Sequence, residues 1–386
     1  MNFYGYVRKD GKVGARNYIA VIPMVFCVNE VVEAIVSNTM NTKSLCHHQG
    51  CCQLPPDLER VTKCLIGLGK NPNVAAVLLV SLGCEGTDLE RVSSEIADSG
   101  KPVEIVRVQQ GGGMANAIAD GIKKVQKMQR AISGLQRCSV DISHYVMSIK
   151  CGASDATSGL ASNCVIGYIA DRMVDDGATV IFGETTEFIG AEHILARRAA
   201  NAEVENRLYE IVDRMETRAK SLGTDMRKGQ PTPGNIMGGL TTIEDKSIGA
   251  IMKSGSRTIR GVLEYPDIAC EKGLWIKDTP GREMEILTGM AISGSQCMLF
   301  STGRGAPQGF SIMPVLKICG NPETFERMKN DMDINAGTII RGEKSVEEVA
   351  EIVLKKLIKV LNGEATKSEA MNYNKSCDFY MQGPVI

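Results

Sequence analysis

Tyr145-Val146-Met147-Ser148-Ile149-Lys150-Cys151-Gly152-Ala153-Ser154-Asp155 and Ala178-Thr179-Val180-Ile181-Phe182-Gly183-Glu184-Thr185-Thr186-Glu187 follow one pattern. Each begins with a short apolar run, 145–149 or 178–182, and closes in a glycine-bearing polar turn that leads into a helical pattern. Runs of this kind predict strands buried on both faces, which belong in a parallel sheet covered by helices. In an open α/β sheet, ligands bind at the edge formed by the carboxyl ends of the strands. These two turns bring the Cys151 thiol, the Lys150 amine and the carboxylates of Asp155, Glu184 and Glu187 to that edge, with Glu192-His193 just beyond. A plainer reading also fits the residue types: Cys151 as a small buried hydrophobe and Asp155 as a helix N-cap.

The alternation extends upstream. Residues 18–26 are almost uninterruptedly apolar, 74–82 end in Gly83-Cys84-Glu85-Gly86, and 103–108 lead through Gln109-Gln110-Gly111-Gly112-Gly113-Met114 into an Ala-rich helix. Helical patterns begin at Asn29 and Thr87. The chain is therefore expected to be α/β, with a parallel-sheet, Rossmann-like domain over residues 1–135. A second α/β domain, residues 136–386, is expected to carry much of the active site. No GxGxxG follows the first strand, so a dinucleotide is not expected. The glycine-rich turn before Met114 offers backbone N–H groups to an anion.

Downstream, a charged helical pattern over 187–222 is broken at Gln230-Pro231-Thr232-Pro233-Gly234-Asn235, and Thr241 to Glu244 reads as a capping box. The apolar Met298-Leu299-Phe300 ends in Ser301-Thr302-Gly303-Arg304-Gly305-Ala306-Pro307, where hydroxyls and a guanidinium lie among glycines. Arg presents a bidentate fork to carboxylates and sulfonates, so Thr302 and Arg304 are candidates for substrate binding; a solvated surface turn is the alternative. A further strand, 314–318, bears Lys317, and 346–361 forms an amphipathic helix. The polar tail beyond Asn362 is expected to pack poorly.

At 386 residues the chain has room for two or three domains. Its net charge of −1 provides no overall field toward nucleic acid or anionic membrane. No stretch reaches the roughly 20 apolar residues of a membrane span, and a cytoplasmic protein with a small-molecule partner is expected. Thirteen cysteines, an odd number with no signal peptide, argue for reduced thiols, some of them ligands, rather than a disulfide framework. Cys46-His47-His48-Gln49-Gly50-Cys51-Cys52 concentrates three of those cysteines and two of the four histidines in seven residues. Such ligands suit iron or zinc, but no CxxC pair recurs at zinc-finger spacing, so a closed structural zinc site is not expected.

Taken together, Gly11-Lys12-Val13-Gly14-Ala15-Arg16-Asn17, His47-His48-Gln49-Gly50-Cys51, Leu82-Gly83-Cys84-Glu85, Lys150-Cys151-Gly152-Ala153-Ser154-Asp155, Gly190-Ala191-Glu192-His193, Pro233-Gly234-Asn235 and Ser301-Thr302-Gly303-Arg304-Gly305 resemble the altronate/galactarate dehydratase family. The resemblance runs from Tyr4 to about Thr338 and implies an iron-dependent lyase acting on a 2-hydroxy acid, in a group that includes the large subunit of sulfolactate sulfo-lyase. It also implies a separate small β-domain subunit; a homo-oligomer stays open. Cys52 stands where the family's HxxGCG has its last glycine, and Ala153 where CGGSD has its second, so the exact substrate is not read from the sequence.

Within that resemblance, iron would stabilise the enolate-like dianion formed when the α-proton leaves. His47, Cys51, Cys84 and Cys151 are the expected ligands, with Glu187 or His193 as further candidates; ferrous iron and an iron–sulfur cluster both remain open. Cys51, Cys84 and Cys151 are expected to converge. Lys150, Glu184 and His193 are the acid and base candidates, and Asp155, Thr302, Arg304 and Lys317 the substrate-binding ones. The rival class is a non-catalytic α/β protein that binds sugar acids or senses redox, which would have no reason to hold near-stoichiometric iron.

Overall fold

The computed structural model describes residues 1–373 and 377–384. The first 141 residues contribute β1 (Asn2–Val7), β2 (Val13–Gly14), β3 (Tyr18–Pro23), β4 (Thr42–Ser44), β5 (Val74–Ser81), β6 (Val103–Arg107) and β7 (Cys138–Asp141). There follow β8 (Val146–Cys151), β9 (Thr179–Phe182), β10 (Ile259–Leu263), β11 (Gly273–Lys277), β12 (Cys297–Thr302), β13 (Val315–Cys319) and β14 (Ile334–Asn335).

Two parallel sheets organise the chain. The smaller has the order β4-β3-β5-β6 and the larger β10-β11-β9-β8-β12-β13-β14, while β1 pairs antiparallel with β2 and β7. All eight residues of β5 and all five of β13 are buried, as expected of central strands with helices on both faces. Burying each Val, Leu or Ile side chain contributes roughly 1.5–3 kcal/mol, so these runs drive the folding of both sheets. The helix Pro55–Lys70 from the small sheet packs on Glu283–Ile292 from the large one, and Gly67 permits this: a Cβ there would lie 2.6 Å from the Ile292 side chain. No helix among the described residues is long and apolar enough to cross a membrane.

The expected strands and the helix Val346–Leu361 are present, the latter opened by a Ser345/Glu348 capping box. Three local expectations are corrected. The pattern over 187–222 is not one helix: Gly190 turns the chain at φ +88°, and Asn201 caps a separate helix, Ala202–Ser221, by accepting from Val204 N–H. The cap expected at Thr241 belongs to Thr242, whose hydroxyl accepts from Asp245 N–H. The described part of the tail beyond Asn362 is packed rather than loose, because Cys377 and Phe379 are buried and Asp57 accepts from the backbone of Gln382 and Gly383; residues 374–376 and 385–386 lie outside the described residues.

Candidate active site

The turns that follow β8 and β9 build a buried ionic cluster. Lys150, on β8, and Glu184, just past β9, are both fully buried, with Lys150 Nζ 2.8 Å from Glu184 Oε1. The other carboxylate oxygen, Oε2, accepts from Cys151 N–H at 2.9 Å and lies 2.8 Å from Lys253 Nζ. Lys253 also reaches Glu187 Oε2 at 2.8 Å, and Lys246 stands 3.8 Å from Glu187 Oε1. Glu184 therefore bridges two lysines from separate elements, Lys150 on β8 and Lys253 in the turn that precedes β10.

The backbone is strained where these groups are presented. Glu184 is left-handed at φ +72°, fixed by its N–H donating to Thr279 Oγ1 at 2.7 Å, and Ala153 is left-handed at φ +49°. Non-glycine residues in this region cost of order 1–3 kcal/mol, and such strain clusters at functional sites.

Burial and charge together set the protonation states. Burial, reinforced by Glu187, pushes the Glu184 carboxyl above its ordinary range. Glu187 moves the other way: burial opposes ionisation, but Lys253, Lys246 and Lys150 bring it down to about 2. Burial would discharge Lys150 and Lys253, yet the carboxylates of Glu184 and Glu187 beside them hold both above the ordinary lysine value. Burial and the nearby carboxylates push the Cys151 thiol up to about 12, so it is a neutral thiol, hydrogen-bonded with Ser154 Oγ at 2.9 Å.

Cys151, Ser154 and Asp155 also line a cavity of about 440 Å3, with Asn163, Lys246 and Leu160 among its other walls. Asp155 is buried and fully engaged: Oδ1 accepts from Ser158 N–H at 3.2 Å and Oδ2 from Asn321 Nδ2 at 3.0 Å. Its closeness to the next loop requires glycine at 303, where a Cβ would lie 2.0 Å from Asp155 Oδ1.

Lys317 occupies the same sheet face as Lys150, since Phe300 is the register partner of both. Its amine is fully buried, without a hydrogen-bond partner, 3.3 Å from the centroid of the Phe300 ring, and burial holds it well below the ordinary lysine value. Thr302 is buried, with its hydroxyl accepting from Gly305 N–H at 3.0 Å. The Arg304 side chain is exposed and donates to the Gly234 carbonyl, so the expected cradle is not assembled around one point. His193 lies exposed on the short helix Glu192–Ala196, outside the buried cluster.

The thiols expected to converge are divided between the two sheets. Cys51 and Cys84 are exposed on neighbouring loops of the small sheet, joined where Gly86 N–H donates to Gly50 O at 2.9 Å, while Cys151 is buried at the end of β8. Both ring nitrogens of His47 are engaged, Nε2 with Pro23 O at 2.8 Å and Nδ1 with Gln49 N–H at 3.1 Å; burial holds its pKa at about 4. Among the described residues no three His, Cys, Asp or Glu side chains are arranged to hold a metal ion. These donors do not fit a preformed iron site.

Lys253, Lys246, Thr279 and Asn163 were not anticipated from the sequence. Lys253 does carry a signal, a lone charge in Ala250-Ile251-Met252-Lys253-Ser254-Gly255, where an apolar run would otherwise meet glycine. Its partners lie 66 residues or more away in sequence, beyond any local pattern.

The comparisons with known proteins agree with one another. The family model described as D-galactarate/altronate dehydratase, C-terminal, matches residues 142–383. That described as D-galactarate dehydratase/altronate hydrolase, second domain, matches residues 5–133. The (2R)-sulfolactate sulfo-lyase subunit beta of Chromohalobacter salexigens is 38% identical over 377 residues, covering 97% of this chain and 96% of that protein. Altronate dehydratase of Bacillus subtilis is 30% identical, covering 98% of this chain and 77% of that protein. The galactarate dehydratase (L-threo-forming) of Escherichia coli is 33% identical, covering 94% and 73%.

Proposed function

The chain belongs to the D-galactarate/altronate dehydratase family, and from that premise we propose that it is a carbon–oxygen or carbon–sulfur lyase acting on a 2-hydroxy acid. The observation that carries the reading is the buried Lys150–Glu184–Lys253–Glu187 network behind Cys151, which lines the cavity. In the reaction, the proton leaves the carbon beside the carboxylate and its electron pair forms a carbon–carbon double bond. Hydroxide or sulfite departs from the neighbouring carbon, and the enol product tautomerises to a 2-oxo acid.

Lys150 and Glu184, 2.8 Å apart, form the proton-transfer pair. Of the two, Glu184, whose carboxyl is held above its ordinary range, is the group that takes and returns the proton, and Lys150 stays cationic beside it. Lys253 and Lys246 supply fixed positive charge for the developing dianion, and a low-dielectric site makes that charge more effective than it would be in water. His193, being exposed, has no part in this scheme.

The order β4-β3-β5-β6 is the 2-1-3-4 order of flavodoxin-like doubly wound sheets rather than the Rossmann order, and it supports an α/β first domain, which we place at 1–135 with a second at 136–386. The name "subunit beta" borne by the sulfo-lyase relative supports a second subunit as partner, for which we propose a small β-domain protein. The test is to supply the purified protein, alone and with candidate small subunits, with altronate, galactarate or (2R)-sulfolactate, with and without ferrous iron, and to follow the 2-oxo acid. Formation from at least one is expected; none from all three under every condition overturns the proposal.

A further inference from the structure

Cys51 and Cys52 hold their sulfur atoms 3.6 Å apart. Adjacency in sequence does not supply that distance, because consecutive side chains of extended backbone point to opposite sides. A left-handed turn does: Cys52 has φ +54°, which brings its sulfur round to that of Cys51. Cys52 also stands where the family's HxxGCG pattern has glycine, the residue that adopts this conformation without strain. The chain therefore carries a thiol where its backbone favours no side chain, and what that thiol meets is the sulfur beside it.

The surroundings leave the pair open and its flanks fixed. Both residues are exposed. On one side the Gln49 carbonyl accepts from Phe26 N–H at 3.0 Å and the Gly50 carbonyl from Gly86 N–H at 2.9 Å. On the other, the Gln53 side chain accepts from Gly50 N–H at 2.9 Å and donates to Met381 Sδ at 3.2 Å. Residues 49, 50 and 53 are thus pinned, and a fixed frame presents the two thiols together.

We propose that Cys51 and Cys52 are a reversible oxidation site, closed to a vicinal disulfide by small organic disulfides such as glutathione disulfide. One cysteine attacks the reagent, forming a mixed disulfide and releasing half of the reagent as a thiol. The other attacks the protein sulfur of that mixed disulfide and releases the second half. Two electrons and two protons pass from the protein to the reagent, which leaves as two thiols. The link is easily undone: Cα atoms across the trans peptide between them are about 3.8 Å apart, whereas ordinary disulfides hold theirs at about 4.4–6.8 Å, so the ring is strained and readily reduced. The pair takes no part in the chemistry proposed above, and its oxidation does not depend on the lyase reading.

The test treats the full chain, reduced and then freed of reductant, with excess glutathione disulfide, alkylates the remaining thiols and maps the cysteines by mass spectrometry of proteolytic fragments. The fragment carrying Cys51 and Cys52 should lose two hydrogens, escape alkylation and regain both thiols with dithiothreitol. Cys52→Gly relieves the left-handed strain and removes the second thiol, so Cys51 should then hold half of the reagent as a mixed disulfide. Cys52→Ser should behave in the same way, which separates the loss of sulfur from the change in backbone freedom. Cys51 and Cys52 left as free thiols in the wild type, a link from either to Cys27 or Cys84, or a mixed disulfide standing on both at once overturns the proposal. So does a fragment of Cys52→Gly and Cys52→Ser in which Cys51 stays unmodified.

Discussion

At the ends of β8 and β9, Lys150, Glu184, Glu187 and Lys253 are almost wholly removed from water and meet one another at 2.8 Å. Past β3, β4 and β5 the thiols of Cys27, Cys51, Cys52 and Cys84 occupy the equivalent edge of the small sheet, all exposed. Both edges are the carboxyl ends of parallel strands, where ligands bind in open α/β sheets. They differ in what lies over them. The four charges at the large-sheet edge are buried and act in a low dielectric, so they must be paired; the small-sheet thiols are exposed and carry little mutual obligation. Position in a sheet thus nominates residues, and burial with complete pairing decides which of them can do acid–base work.

The sharpest way to break this contrast is to remove the shared acid. Glu184→Gln keeps shape but leaves Lys150 and Lys253 without their common counter-charge, and breaking a buried ionic network in this way costs about 3–5 kcal/mol. Urea unfolding should show a loss of that size, together with loss of lyase activity. A cost below about 1 kcal/mol would mean that the buried cluster is not held by its charges.

How far this was legible depended on sequence distance. The ends of β8 and β9 announced themselves, because Lys150 and Glu184 directly terminate apolar runs that can only be buried strands. Lys253 did not, since what recruits it is Glu184 and Glu187, brought near by the packing of separate helices. The dense 46–52 segment drew attention for the opposite reason. Composition recorded its histidines and thiols but could not show that His47 spends both nitrogens on backbone or that Phe379, from the far end of the chain, covers its ring at 4.7 Å.

The comparison extends to a second buried lysine of the large sheet. Lys277 donates to Asp267 O at 2.7 Å and to Ser293 Oγ at 2.5 Å but has no carboxylate at ion-pair distance among the described residues, and burial lowers its pKa to about 7. Cys64 and Arg60 from the helix Pro55–Lys70, with Asp267 and Glu264 from the loop after β10, are the charged or titratable groups around it. Unfolded lysine holds its proton to about pH 10.4, so between about 7 and 10.4 the unfolded state binds more protons and stability rises with pH. Wild type should gain about 1 kcal/mol or more across that window, and Lys277→Met should lose the slope. A parallel pH dependence in both proteins would detach the effect from Lys277.

Lys317 sharpens the point further. Among the described residues its amine has no hydrogen-bond partner, so Lys317→Met should be neutral or stabilising by up to about 2 kcal/mol, the reverse of Glu184→Gln. Thermal unfolding checks the sign. A clear destabilisation would show that the contact with Phe300 at 3.3 Å is worth more than the amine's lost hydration.

The smallest effect belongs to the open edge. Cys51 and Cys84 are exposed, and Cys51 has only its neighbour Cys52, with sulfur atoms 3.6 Å apart, as a close polar contact. Replacing either by Ser removes little burial and breaks no network, so the metal-free protein should change by less than about 0.5 kcal/mol. Ferrous iron added to wild type and to each variant makes this decisive. A metal that binds only the folded state stabilises it by mass action, by about 2.7 kcal/mol at one hundred times its dissociation constant. With donors arranged as they are, the three proteins should unfold at the same temperature, with iron and without it. If iron raises the wild-type midpoint and spares Cys51→Ser and Cys84→Ser, the loops after β4 and β5 close around metal when it is offered, and the small-sheet edge becomes a second chemical centre whose order is supplied by its ligand rather than by burial.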